Sequence, residues 1–288
     1  MSEHRVSRRQ LTHLKEHLSE RDLAILNSVR EHRFLTTRQI ARLHFNRKTT
    51  EIAALRSTNR TLAKLAVLGL LTALERRIGG VRAGSGAFVW SIGHLGARLL
   101  NLTDHDNSGQ GRQREIEPST TFLEHTLAVA EVHLRLREAT RGGDATLVGV
   151  ELEPACWRPY VAPGGSTSRL KPDLAAVTAT GDFEDHWFFE IDLATEPPSR
   201  VVRKCLQYQE YLRAGTEQQR LGLFPAVVWI VPTSARQQTL RTRLAEEPSI
   251  GARLFTVITL DRLAELIAKG AHETNNINER VGKKGETS

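Results

Sequence analysis

Three acidic residues and one lysine in the second half of the chain have the types and the spacing to act on a phosphate group. Asp173 follows a proline, Glu190 and Asp192 close an aromatic run, and Lys204 lies farther along the chain. Convergent carboxylate oxygens suit Mg²⁺, which activates water and stabilises phosphate charge. The set predicts a metal site of Asp173, Glu190 and Asp192, and these acids are catalytic candidates.

A strand over residues 187–192 would place both later acids on one face. Its period of two puts Trp187, Phe189 and Ile191 on one side and Phe188, Glu190 and Asp192 on the other. A short turn between residues 177 and 187 would then bring Asp173 and Glu190 side by side on antiparallel strands. An alternative remains open, in which the acids are exposed on an edge strand or paired with Arg200 and Arg203.

The elements around these acids follow an α/β order. Hydrophobic periodicity and turn residues predict a helix over 121–140 with a Thr121–Glu124 capping box, and strands over 145–151, 173–178 and 187–192. A hairpin at 163–168, a helix over 199–212, a strand over 226–231, a helix over 235–246, a strand over 253–258 and a helix over 260–268 complete the list. Helix, three strands, helix and strand predict an α/β sandwich.

The charge of the chain is divided unevenly between its halves. Residues 1–115 carry 20 Lys and Arg against 10 Asp and Glu, whereas residues 116–288 carry 20 against 23. Of the 40 basic residues 32 are arginines, which suit phosphate and guanine contacts, although a GC-rich genome would also favour arginine codons. The asymmetry predicts a nucleic-acid partner for the first half.

The first half has the element order of a winged helix-turn-helix domain. Ser19 and Asp22 mark one helix start, Thr36 or Thr37 a second, and residues 49–68 form a third helix that stops at Gly69. Strands over 70–77 and 87–92 would flank a loop at 79–86. In such domains the third helix lies in the major groove and the loop reaches phosphate or the minor groove.

The candidate DNA contacts are basic or polar side chains on that third helix and on the wing. An alternative is that they form the solvated face of a winged helix that binds only proteins. The basic character of helix and wing together favours DNA. The candidates are Arg47, Lys48, Thr50, Arg56, Asn59, Arg60 and Lys64 on the helix side, and Arg76, Arg77 and Arg82 in the wing.

The acids resemble the PD-(D/E)xK nuclease-like core, the restriction-endonuclease-like fold. Pro172 and Asp173 match its first acid, and Glu190 matches its second. That superfamily normally has a lysine two residues after the second acid, where this chain has Asp192. The resemblance therefore implies Lys204 as a migrated lysine and a further catalytic candidate. Whether the chain is an enzyme stays open, because an acid cage without its lysine could bind metal or DNA without cleaving.

Over about residues 20–265 the chain is similar to the replication-relaxation protein family. The resemblance rests on Leu68 to Leu71, His125 to Ala128, Pro172-Asp173, Phe188 to Asp192, and Lys204 with Tyr208 and Tyr211. Members belong to plasmids and integrative elements of Gram-positive bacteria. Membership would imply a role in replication and in DNA relaxation or mobilisation.

The expected fold class is α/β, or α+β for the chain as a whole, in two domains. A basic polar segment (1–18) precedes the winged helix (19–102). A polar linker (103–118) leads to the nuclease-like domain (119–270), and a disordered tail (271–288) ends the chain.

Several classes of site and location are disfavoured. There is no glycine-rich nucleotide loop, which predicts no nucleotide cofactor, and there is no histidine cluster near a tyrosine for relaxase chemistry. No apolar run approaches the roughly 20 residues that span a bilayer, and the start of the chain lacks a secretory signal, so a cytoplasmic location is expected. Cys156 and Cys205 lack zinc spacing.

Three functions stay open. The first is a DNA-binding protein of a mobile element whose nuclease-like domain engages a neighbouring phosphate. The second is a catalytically inactive regulator or replication accessory factor, and the third is a Mg²⁺-dependent nickase or endonuclease. The expected partners are double-stranded DNA, plasmid replication or transfer proteins, and a second copy of the chain on a palindrome.

Overall fold

The computed structural model describes residues 6–45, 50–74, 88–102, 118–251 and 254–271. The chain divides into two compact units, Met1–Leu134 and Arg135–Ser288. The division falls inside a helix rather than at the predicted linker, nearly all of which lies outside the described residues, as do the predicted wing loop and nearly all of the tail.

Within its described residues, the first unit contains helices and three short strands. Their bounds are α1 (Arg8–Glu16), α2 (Glu20–His32), β1 (Leu35–Thr36), α3 (Thr37–His44), α4 (Glu51–Val67), β2 (Leu71–Ala73), β3 (Val89–Ile92), α5 (His94–Asn101) and the first part of α6 (Thr120–Ala139). The strands form an antiparallel sheet in the order β1-β3-β2. The three predicted helices and the two predicted strands are present, while α1 and β1 were not predicted.

Local hydrogen bonds explain where the helices start. The Ser19 hydroxyl accepts from the Asp22 backbone N–H at 3.1 Å, and the Asp22 carboxylate accepts from that of Ser19 at 3.0 Å, which confirms the predicted cap. The predicted cap of α6 at Thr121 is wrong. Ser119 lies at that helix start instead, and its hydroxyl accepts from the Phe122 N–H at 3.3 Å.

The core of the first unit lies between the helices and the sheet. Each of its central side chains is fully buried: Ile25, Leu26, Val29, Ile40, Leu62, Leu65 and Leu99. The backbone of helix α5 packs very close to the backbone at Leu70. A Cβ atom on Gly96 would lie 2.2 Å from the carbonyl oxygen of Leu70. Only glycine permits this approach of two backbones.

The second unit is a mixed sheet with helices. It contains the end of α6, then β4 (Ala145–Leu152), β5 (Arg158–Val161), β6 (Thr167–Leu170), β7 (Leu174–Thr180), β8 (Phe183–Ile191), α7 (Pro198–Ala214), α8 (Thr216–Leu221), β9 (Ala226–Val231), α9 (Ser234–Ala245), β10 (Phe255–Thr259) and α10 (Leu263–Lys269). The sheet order is β10-β9-β8-β7-β4, with β5 and β6 as a separate hairpin. Strands β8, β9 and β10 are parallel, and β4, β7 and β8 are antiparallel.

The register of β7 on β8 brings the first two acids together. Leu174 pairs with Phe189, and the backbone N–H of Asp173 donates to the carbonyl of Phe189 at 3.2 Å. Asp173 therefore lies beside Glu190. The predicted faces are also confirmed: Phe188 and Glu190 both contact Tyr208, whereas Trp187 stacks with Phe189 on the opposite side, with ring centroids 6.0 Å apart.

Strand β4 is an edge of the described sheet and is irregular. Its pairing with β7 shifts between Leu147 and Gly149, and Val148 between them is 57% exposed. Such a bulge bends a strand and interrupts its ladder of hydrogen bonds. Within the described ranges, no helix has both the length and the apolar character needed to cross a membrane.

Candidate functional site

Glu190 is a buried carboxylate held by two side chains of one helix. It lies near the end of β8 and is 2% exposed. The Tyr208 hydroxyl donates to Oε1 at 2.7 Å, and the Lys204 ammonium lies 2.7 Å from Oε2. Both partners lie on α7, four residues apart, so one turn of the helix supplies both contacts.

Lys204 reaches Glu190 from α7 rather than from the strand. Its ammonium also donates to the carbonyl of Lys171 at 2.8 Å, and its side chain keeps 28% exposure. A residue of α7, rather than one of β8, thus supplies the ammonium beside Glu190. Asp173, Glu190 and Lys204 are brought together as the sequence predicts.

Asp173 is oriented by the backbone of the neighbouring strand. It is 7% exposed, and its Oδ2 atom accepts from the backbone N–H of Ile191 at 2.7 Å. Its negative charge raises the pKa of both Glu190 and Lys204, which places it in the same electrostatic environment.

The pKa values of Glu190 and Lys204 are both raised. Burial is the largest influence on Glu190 and raises its pKa to about 8; Asp173 adds to the rise, while Lys204 and Tyr208 oppose it. Burial alone would lower the pKa of Lys204, but the charges of Glu190 and Asp173 outweigh it and raise that pKa. Lys204 therefore stays an ammonium ion across the physiological range.

Asp192 does not join the other two acids. Arg236 on α9 binds it through two hydrogen bonds, Nε to Oδ2 at 2.7 Å and Nη2 to Oδ1 at 3.1 Å. Arg236 also donates to the carbonyl of Glu196 at 2.7 Å, and the N–H of Ala194 donates to Asp192 at 3.1 Å. Asp192 therefore fixes the segment that leads into α7, and its ion-pair partner is neither Arg200 nor Arg203.

Hydrogen bonds and an ion pair already engage the acids that were predicted to hold Mg²⁺. Both oxygens of Glu190 and one oxygen of Asp173 already accept hydrogen bonds, and Lys204 supplies a positive charge where a cation would have to enter. In the described ranges no three His, Cys, Asp or Glu side chains are grouped so as to hold a metal ion. The metal role of Asp173, Glu190 and Asp192 stays a prediction.

Helix α4 presents polar side chains on the face opposite the core. Arg56, Asn59 and Arg60 are exposed, and in the part of the chain that the structure describes the two arginines form no ion pair. Lys64 differs, because its ammonium lies 2.9 Å from Oδ2 of the buried Asp22. Thr50 caps α4. The remaining candidates, Arg47, Lys48, Arg76, Arg77 and Arg82, lie outside the described residues.

Sequence reasoning missed the partner of Asp192 and the role of Tyr208. Arg236 lies 44 residues from Asp192, and no local pattern connects them. The spacing of Lys204 and Tyr208 by one helical turn was a usable signal for a shared target. The thiol of Cys156 donates to the carbonyl of Pro172 at 3.0 Å and, mainly through burial, has a pKa raised to about 12, as expected of an inert cysteine.

Comparison with known proteins identifies one family. No curated protein and no solved structure matches the chain. The model of the family described as replication-relaxation matches residues 26–227, which include α3, α4, β7, β8 and α7. This span covers well over half of the chain and contains Asp173, Glu190 and Lys204. The chain belongs to the replication-relaxation family.

Proposed function

We propose that the chain is a DNA-binding protein that acts in the replication or relaxation of plasmid or mobile-element DNA. The family supports this context. The observation that carries DNA binding is the exposed face of α4, where Arg56 and Arg60 lie one turn apart without an ion-pair partner among the described residues. Unneutralised arginines at this spacing suit adjacent phosphates or bases.

The arrangement of the first unit supports α4 as the helix that enters the major groove. Helices α2, α3 and α4 precede the antiparallel pair β2 and β3, which is the order of a winged helix. Leu62 and Leu65 anchor α4 in the core, so its opposite face remains exposed for a duplex. Lys64 is a weaker candidate because Asp22 already binds it.

Salt-dependent binding to duplex DNA tests this proposal. Affinity should fall by orders of magnitude as salt rises from about 50 to about 200 mM, because several phosphates are neutralised. An Arg56→Ala/Arg60→Ala variant should reduce the slope of log affinity against log salt by about 2. Arg8→Ala/Arg9→Ala on α1 removes the same charge and serves as the control. Equal slopes for the two variants would contradict a role for α4.

A second candidate function is a metal-dependent nickase. It is supported by the proximity of Asp173, Glu190 and Lys204, which come together through the succession of β7, β8 and α7 and resemble the acids and lysine of a PD-(D/E)xK core. Supercoiled plasmid incubated with Mg²⁺ or with EDTA tests it. Nicking that needs Mg²⁺ and is lost in Asp173→Asn and Glu190→Gln would support the nickase. DNA shifts without nicking would support a regulator or replication accessory factor.

The proposed partners follow from the proposed DNA binding and from the family. Duplex DNA is the first, and plasmid replication or transfer proteins are the second. A homodimer on a palindromic site is a third proposal, which the mass of the protein–DNA complex would test.

A further inference from the structure

The second unit carries three exposed cations beside the Glu190–Lys204 pair. They are Arg169 and Lys171, at the end of β6 and just beyond it, and Arg203 on α7. None of the three forms an ion pair within the described part of the chain. The second half of the chain has more acidic than basic residues, so a local group of cations without ion-pair partners differs in charge from the rest of that half.

Two hydrogen bonds fix the segment with Arg169 and Lys171 against α7. Lys204 donates to the carbonyl of Lys171 at 2.8 Å, and the amide of Gln207 donates to the carbonyl of Arg169 at 3.2 Å. Both donors come from α7, where Arg203 is their neighbour. The three cations therefore lie along one continuous surface, which we call the α7 strip.

The α7 strip borders an open depression. Its volume is about 380 Å³, and its lining residues are Glu196, Arg200, Arg203, Lys204 and Gln207. The acid at this rim, Glu196, is paired with Arg200. Of its lining cations, Arg203 is the one that forms no ion pair among the described residues, and its guanidinium suits phosphate oxygens.

Trp157 holds two of these cations in place. The guanidinium of Arg169 lies 5.6 Å and the ammonium of Lys171 lies 4.6 Å from the centre of its ring. Cation–π contacts restrict long side chains without neutralising their charge. Arg169 and Lys171 are therefore positioned in advance for an anionic partner.

We propose that the α7 strip binds successive phosphates in the backbone of a DNA strand and that this binding needs no divalent cation. The inference rests on the proposed DNA-binding function and adds a second contact surface to it. The ammonium of Lys204 lies 2.7 Å from Glu190 and balances any negative charge there, so no added metal is required to keep Glu190 from repelling a phosphate. Recognition through phosphates alone is independent of base sequence.

Binding by the full chain to a duplex and to a single strand of the same sequence tests the α7 strip. Arg169→Ala/Lys171→Ala/Arg203→Ala should weaken binding by about tenfold or more and lower the salt slope on the single strand by about 2. Arg203→Glu should act in the same direction while leaving the Trp157 contacts intact. Arg213→Ala, an exposed arginine on the same helix, is the matched control and should bind as the wild type does.

The possible outcomes distinguish DNA binding by the α7 strip from DNA binding by α4. If Arg56→Ala/Arg60→Ala loses duplex affinity while both strip variants bind normally, the strip is overturned and the proposed function stands. If the strip variants lose affinity while the α4 variant does not, the role of α4 fails and the strip stands. A loss on only one DNA form identifies that form as the ligand. Loss of DNA affinity in EDTA would overturn the proposal that binding needs no divalent cation.

Discussion

The ammonium of Lys204 lies 2.7 Å from Oε2 of Glu190, although the two residues belong to different elements. A lysine two positions after the acid would lie on the same strand, but here the helix after the strand supplies it. Two positions after Glu190 the chain has Asp192, whose carboxylate binds Arg236. One lysine on α7 thus supplies the positive charge beside Glu190.

The first prediction concerns the energetic coupling of this pair. At about pH 9, where both groups are ionised, Lys204→Met should lower the free energy of unfolding by about 3 kcal/mol, because it leaves the buried carboxylate of Glu190 unpaired. Glu190→Gln leaves only the partly exposed ammonium of Lys204 unpaired and should cost less. The double variant should lose less than the sum of the two, by at least about 1 kcal/mol. Urea denaturation of the four proteins measures this, and additive losses would show that the pair is not coupled.

The second prediction is the pH dependence of stability. Burial raises the pKa of Glu190 from 4.5 to about 8, so between these values the folded chain holds a proton that the unfolded chain has released. Stability should therefore fall as pH rises through this window, by at most about 1.4 kcal/mol per pH unit. Glu190→Gln cannot titrate and should lack this component. Urea midpoints for both proteins at about pH 5, 6.5 and 8 provide the check; parallel curves would disprove it.

The third prediction concerns Arg236. Its side chain is 12% exposed and its partner Asp192 only 5%, so Arg236→Met should cost about 3 kcal/mol of stability by leaving a buried carboxylate unpaired. Arg243→Met on the same helix removes an exposed pair with Glu246 and should cost less than about 1 kcal/mol. Chemical denaturation compares them. Equal losses would mean that Asp192 does not depend on Arg236.

The fourth prediction concerns the backbone contact at Gly96. Gly96→Ala would force a Cβ atom to within 2.2 Å of the Leu70 carbonyl oxygen, and we expect a loss of about 3 kcal/mol or failure to fold. Gly149→Ala on β4 has no atom within 4 Å of the new Cβ and should change stability by less than about 1 kcal/mol. Thermal unfolding of the two variants tests the contrast, and similar melting temperatures would contradict it.

Much of the fold could be predicted because its signals are local. Ser19 with Asp22 marked the start of α2, and the apolar run at 226–231 coincides with β9. The alternation of Phe188 and Glu190 against Phe189 fixed the faces of β8. These features depend on neighbours within a few residues, and so the sequence alone carries them.

The remaining features depend on residues far apart in the chain. The pairing of Asp192 with Arg236 and the approach of Gly96 to Leu70 arise only when separate elements pack together. Helix α1 was missed because basic and polar residues dominate its segment, although the capping box of Ser7 with Gln10 and the helical spacing of Leu11, Leu14 and Leu18 were usable signals. The α7 strip was missed because Arg169, Lys171 and Arg203 come together only through the hydrogen bonds between α7 and the end of the β5–β6 hairpin.

The shift in pairing at Val148 affects how molecules meet one another. A straight strand at the edge of a sheet offers a template on which a second molecule can add its own strand, and repeated addition leads to aggregates. With one residue out of register, β4 offers an interrupted row of donors and acceptors instead. Bulges of this kind are one means by which natural edge strands resist such pairing, and Val148 supplies one in β4.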